Sequence, residues 1–184
     1  TVSRLTNSFT PHHYDLSLTF DRPHRTFHGV VTINGEKHSS DKDIVVHAKD
    51  LLIESIIVDG KHADFTHKDN DELAIHHEDN LPGRHIVVIS FGGQITDAMH
   101  GIYPCYFEKD GIRKELIATQ FESHHAREAF PCVDEPEAKA TIKLDLTTED
   151  DVIVLSNMPI NRQVHHEQQL VTYFHTTPKM STYL

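Results

Sequence analysis

Between residues 14 and 91 the sequence repeats one device, a short run of apolar side chains alternating with polar ones and closed by a turn signal. The first run, residues 14–20 (YDLSLTF), places Tyr14, Leu16, Leu18 and Phe20 at every second position. Successive side chains of an extended chain point to opposite faces, so this spacing collects the apolar groups on one side of a strand. Residues 27–33 follow after the turn-prone Arg22-Pro23 pair, then 43–48, 52–58, 64–67 and 72–76, broken by Asp59-Gly60 and Asn70-Asp71. The most apolar run, residues 85–91 (HIVVISF), is preceded by Leu81-Pro82-Gly83. Short, evenly punctuated strands of this kind specify an all-β fold, an antiparallel sandwich or a curved double sheet.

Beyond Gly92-Gly93 the pattern predicts strands over 101–107, 116–121, 138–146, 152–155 and 170–174, with a turn at Lys109-Asp110-Gly111 and one short helical turn over 124–130. No repeat, low-complexity run or linker interrupts the 184 residues, so the chain reads as one domain over 1–184. Its densest polar stretch, residues 118–136 (ATQFESHHAREAFPCVDEP), lies among apolar anchors. Residues 155–159 (LSNMP) and 177–184 (TPKMSTYL) are expected to be its packing partners.

The formal charge of -11 repels phosphate backbones, which argues against nucleic-acid binding. No apolar run reaches the roughly 18 residues of a membrane span, and the first residues hold no apolar signal core, so neither a span nor a signal peptide is expected. Two cysteines, Cys105 and Cys132, in no CxxC spacing, fit a reducing compartment and a cytoplasmic location. The missing initiator Met and the end at Leu184 inside an apolar segment suggest an excised piece.

The 17 histidines invite a metal hypothesis. A zincin helix needs His-Glu-x-x-His, which sets two imidazoles on one face beside a glutamate base. His77-Glu78 and His166-Glu167 each lack the second histidine. The adjacent pairs His12-His13, His76-His77, His124-His125 and His165-His166 would, in strands, face opposite ways and could not chelate one ion; solvent-exposed polar positions are the simpler reading. Ser156 and Cys132 lie in no nucleophile-elbow or cysteine-protease context, and the phosphate-binding glycine motifs are missing. No complete catalytic apparatus and no metal site is therefore expected in this chain.

Several short motifs nevertheless occur in a telling order: Pro11-His12-His13-Tyr14-Asp15-Leu16, Gly101-Ile102-Tyr103, Ala118-Thr119-Gln120-Phe121-Glu122, Ala126-Arg127, Phe130-Pro131-Cys132-Val133-Asp134-Glu135-Pro136, Lys139-Ala140, Leu155-Ser156-Asn157-Met158-Pro159 and Thr177-Pro178-Lys179-Met180-Ser181-Thr182-Tyr183-Leu184. Together they resemble the N-terminal domain of the aminopeptidase N family of zinc metallopeptidases. The resemblance implies a saddle-shaped antiparallel β-sandwich that packs on its own thermolysin-like catalytic domain. The zinc ligands, general base and transition-state tyrosine would then lie beyond Leu184, and the chain alone would be inactive and bind no zinc. Carried over, Glu122 would accept the free α-ammonium of a peptide substrate and Gln120 would line the first specificity subsite. A leukotriene-hydrolase-like branch of the same fold has Gln in place of that carboxylate, so Glu122 favours a plain aminopeptidase.

Two other readings stand beside these. Thr119-x-x-Glu122 also fits a capping box, with Glu122 folding back onto a backbone N–H. The chain could also be a non-catalytic β-sandwich interaction module from a relative that has lost zinc. Around Glu122, Arg127 is expected to pair with Asp134 or Glu135 and clamp the loop, with Cys132 as a small core residue. Tyr103 reads as a buried strand aromatic, and Met158 and Met180 as core or interface packing.

Overall fold

The computed structural model describes residues 4–40, 43–79 and 81–184. Residues 1–3 and Asn80, which enter the N-terminal and His77 readings above, lie outside the described residues. Among the described residues thirteen strands account for nearly all regular structure: β1 (Phe9–Asp21), β2 (Thr26–Lys37), β3 (Ile44–His47), β4 (Leu52–Val58), β5 (Lys61–His62), β6 (Asp64–His67), β7 (Glu72–His76), β8 (Gly83–Gln94), β9 (Gly101–Lys109), β10 (Ile112–Gln120), β11 (Thr141–Glu149), β12 (Ile160–His166) and β13 (Gln169–Phe174). The expected helical turn is a 3₁₀ turn over Ala126–Glu128, and a second, unanticipated one covers Leu5–Asn7.

An eight-stranded sheet in the order β12-β13-β11-β1-β2-β8-β4-β5 faces a three-stranded sheet β3-β7-β6, and β9 and β10 form a separate hairpin. Tyr14, Val31, Ile33, Val87 and Ile89 from the large sheet share one core with Ile44, Val46, Leu73 and Ile75 from the small one. This is the sandwich-like all-β fold that the period-2 pattern predicts. The pairing is antiparallel except at one place: β1 and β11 run parallel, from His13 opposite Thr141 to Thr19 opposite Thr147. The connection that makes this possible is residues 121–140, which cross the small sheet, where Cys132 bridges His47.

β1 shows how a local irregularity keeps the core filled. Phe9 and Pro11 are buried at odd positions, whereas Tyr14, Leu16 and Leu18 are buried at even ones. The switch falls at a register shift between Pro11 and His13, where one extra residue re-aims the strand. Proline has no N–H to give to the ladder, so a break there costs little pairing. His12 points to solvent, and His13 bonds Thr141 Oγ1 through Nδ1 at 2.6 Å.

The C-terminal part departs from expectation in one segment. Residues 152–155 form no strand; Ile153 and Leu155 are 92% and 87% exposed, and the place beside β13 is taken by β12. β12 escapes the pattern because all seven of its residues are exposed, leaving no apolar period to detect. Residues 155–159 lead into β12, with His175 N–H bonding Pro159 O at 3.1 Å, and among the described residues no hydrogen bond joins them to 118–136. Residues 177–184 do pack there: Met180 bridges Ala140, and Ser181 Oγ donates to Pro136 O at 2.6 Å.

Candidate functional site

The stretch from Ala118 leaves the β9–β10 hairpin, makes a tight turn and dives into the core. β10 ends at Gln120, whose register partner is Gly101. Phe121 is half-buried, its ring edge-on to Phe130 at 6.4 Å, and Phe130 meets Tyr14 edge-on at 5.9 Å. His125 N–H bonds back to Phe121 O at 2.9 Å, and Phe130 N–H to Ala126 O at 3.0 Å. The turn is thus held from below by buried Ala126, Ala129 and Phe130, while Glu122, Ser123 and His124 stay exposed at its tip. The Glu122–Ser123 peptide bond is cis.

Gln120 and Glu122 are both exposed, and among the described residues neither side chain makes a hydrogen bond or ion pair. The capping-box alternative fails on geometry. Thr119 sits inside β10, the 3₁₀ turn starts at Ala126, and its N-cap, His125, carries no side-chain cap. Glu122 is therefore too early in the chain to serve as the third helical residue that a capping box requires.

The clamp below the turn is built on Asp134, whose side chain is 1% exposed. Its Oδ2 accepts from Arg127 Nε at 3.1 Å and from Arg127 N–H at 3.2 Å, and its Oδ1 accepts from Thr182 Oγ1 at 2.7 Å. Arg127 also reaches Asp71 Oδ2 at 3.3 Å and Asp134 O at 3.2 Å. Of the two expected partners, Asp134 is the one Arg127 takes. Glu135 turns the other way and accepts from Leu5 N–H at 2.7 Å and Thr6 N–H at 3.2 Å, so it fastens the N-terminal 3₁₀ turn. Cys132 is fully buried, and burial pushes its thiol well above the usual range, which fits a core residue and not a nucleophile. Tyr103 is half-buried in β9, less enclosed than expected, and Met158 and Met180 are half-buried too.

His47 completes the clamp. Its Nδ1 accepts the Asp134 N–H at 3.0 Å, which fixes the proton on Nε2. Burial, and then the nearby Arg127 charge, lower its pKa from 6.5 to about 4. The unfolded chain binds more protons than the folded one between those values, so stability falls as pH drops through that window. After allowance for solvent screening the loss is on the order of 2 kcal/mol. Urea unfolding at pH 7 and pH 4.5 checks this: His47→Gln, which keeps an acceptor but cannot titrate, is expected to show a smaller acid loss than wild type. Equal acid losses in the two proteins would contradict it.

One further cluster lies beside the turn. His100 Nδ1 is 2.5 Å from Glu128 Oε2, His125 Nδ1 is 3.1 Å from Glu128 Oε1, and Lys49 Nζ is 3.0 Å from the same Oε1. The His100 and His125 rings stack at 4.3 Å, and His124 stacks on His125 at 4.9 Å. Burial works to raise the Glu128 pKa, but hydrogen bonds from His125, Lys49 and His100 hold the carboxyl below its usual range. The sequence reading missed this cluster because it weighed His124-His125 as metal ligands only for a strand geometry, although it placed residues 124–130 in a helical turn, where the pair does sit. The spacing His125-x-x-Glu128, one helical turn, was the available signal; His100 joins only through the tertiary fold.

Residues 10–184 match the family described as Peptidase M1 N-terminal domain. The chain belongs to that family. Aminopeptidase N of Lactococcus lactis subsp. lactis is 49% identical to it across the whole chain, and aminopeptidase N of Lactobacillus delbrueckii subsp. lactis is 45% identical across the whole chain. Aminopeptidase M1-A of Oryza sativa subsp. japonica is 35% identical over 99% of the chain. The chain spans about a fifth of these relatives' length, 21% to 22%, so it corresponds to one part of those longer proteins. Among the described residues there is no zincin helix: His100, His125 and Glu128 come from a loop and a 3₁₀ turn, not from two turns of one helix. The residues here therefore do not fit the zinc helix of a metallopeptidase. Among the described residues no helix is long and apolar enough to cross a membrane.

Proposed function

We propose that this chain is the first domain of a zinc-dependent aminopeptidase and that its contribution to the reaction is the carboxylate of Glu122, which accepts the free α-ammonium of a peptide substrate. The observation that carries the reading is an exposed carboxylate with no hydrogen-bond or ion-pair partner among the described residues, on a turn held by half-buried Phe121, buried Phe130 and the Arg127–Asp134 clamp. Such a group is free to bind a cation and is held still while doing so. An ammonium held there fixes the substrate's end, so only the first peptide bond can reach the reacting centre. Gln120, exposed at the end of β10, would line the first side-chain subsite.

In such an enzyme a zinc ion, held by residues other than the described ones, would supply Lewis-acid chemistry at the scissile carbonyl and its attacking water. The domain on its own is then expected to be inactive. Exposed Ile153 and Leu155 and the half-exposed Leu184 are apolar surface that a catalytic domain would cover. The test is Glu122→Ala in an enzyme that carries this chain as its first domain, with kcat/KM measured on peptides with free and with acetylated N-termini. A selective loss on the free amines supports the anchor; an unchanged kcat/KM removes it.

A further inference from the structure

We propose that His100, His125 and Glu128 form a binding site for one divalent transition-metal ion of the zinc class, which ties the entry of β9 to the turn that carries Glu122. One ligand atom from each of the three groups lies within 4.8 Å of the others. Around a tetrahedral zinc with bonds of about 2.0 Å, neighbouring ligand atoms sit roughly 3.3 Å apart. Both imidazoles already direct Nδ1 at the Glu128 carboxylate, at 2.5 and 3.1 Å, so small side-chain rotations suffice to close the site on an ion. Each ring would then give its Nδ1 lone pair to the metal and keep its proton on Nε2.

The donor set decides the class of ion. Two imidazole nitrogens and one carboxylate suit zinc, cobalt, nickel or copper, and are a poor match for calcium or magnesium, which take oxygen ligands. Three protein ligands leave a fourth position for water or an incoming group. Two features of the surroundings point to a built cradle. Gly101 has φ +66°, and a Cβ there would stand 3.0 Å from Glu128 Oε2, so a side chain at this position would crowd the carboxylate beside His100. Glu128 itself is 9% exposed, whereas His100 and His125 are 39% and 22% exposed, leaving the ion a route in from solvent. Lys49 is the competing cation. Its side chain, 38% exposed, holds Oε1 through Nζ at 3.0 Å and can swing away into water when an ion arrives.

The site is tested on the chelator-treated chain by calorimetry with zinc chloride and by long-range proton–nitrogen NMR of the imidazoles. Wild type is expected to take up one zinc per chain in its tightest phase, with the Nδ1 signals of His100 and His125 shifting and those of His12, His13, His165 and His166 unmoved. Removing a partner behind a ligand typically weakens metal binding 10- to 100-fold, so losing a ligand through His100→Asn or Glu128→Gln is expected to cost about 100-fold or more. Lys49→Met removes the competitor and should tighten binding by about tenfold, an effect that scattered surface histidines would not show. Thermal unfolding of each variant without metal reports whether it is folded, and zinc should raise Tm in wild type but not in His100→Asn. Two results overturn the proposal: no saturable one-to-one phase in wild type, or a folded His100→Asn that binds zinc as tightly as wild type does.

Discussion

Asp134→Ala is expected to destabilise the domain by on the order of 3–5 kcal/mol. The carboxylate is 1% exposed and serves three donors: Arg127 Nε, Arg127 N–H and Thr182 Oγ1. Its removal leaves the Arg127 guanidinium, 11% exposed, with the half-exposed Asp71 and a backbone carbonyl as its remaining partners among the described residues. A buried cation stripped of its main counter-charge costs more than the pair contributed, because the charge stays out of water. The N–H and the hydroxyl are left unpaired as well, each a further penalty of about 1–3 kcal/mol where no water enters. In a domain of this size the sum corresponds to a fall in Tm of about 10 °C or more. Asp134→Asn keeps an acceptor for Thr182 and loses only the charge, so its urea midpoint should fall between Ala and wild type. An unfolding free energy for Asp134→Ala within about 1 kcal/mol of wild type would show that the clamp is ornamental.

The same network explains which parts of the molecule were legible in the sequence. Strand existence was, because β1, β2, β4 and β8 each bury one face, and a buried face leaves a period of two. β12 was not, since an edge strand with Ile160 and Val164 both exposed needs no apolar alternation. Residues 152–155 carry the β-branched residues of a strand and still form none, because a strand requires a partner and β12 holds the free edge of β13. The parallel pairing of β1 with β11 is also invisible locally; it depends on where residues 121–140 cross the small sheet.

The candidate site divides in the same way. The Arg127 clamp could be read from composition, since a cation among two acids and apolar anchors must find a counter-charge. Its choice of Asp134 could not, because that turns on Thr182 and His47 arriving from elements 48 and 87 residues away. Glu135 goes instead to the N-terminal turn, 130 residues distant at Leu5. For the histidines, one-dimensional spacing can test for the zincin pattern but has no access to a group whose third member, His100, lies 28 residues before Glu128.

Glu122→Ala, in an enzyme built on this domain, is expected to lower kcat/KM on free-amine peptides by roughly 10- to 100-fold, the worth of one charge-assisted hydrogen bond of about 1.5–3 kcal/mol. If Glu122 is the anchor, the loss should appear in KM, because the ammonium would be held in the ground state, and in kcat, because an unanchored substrate samples unproductive registers. Glu122→Gln keeps the size and an acceptor oxygen but not the charge, so it should retain part of the activity. A structural role predicts something different. An exposed side chain without a partner contributes little to folding, so both variants should unfold within about 0.5 kcal/mol of wild type. That combination, a large kinetic loss with unchanged stability, separates an anchor from a strut. N-acetylated peptides sharpen the test, since they carry no cation for Glu122 to hold. Their slow turnover should be insensitive to Glu122→Ala, and an equal proportional loss on free and acetylated peptides would mean that the carboxylate shapes the cleft without gripping the amine.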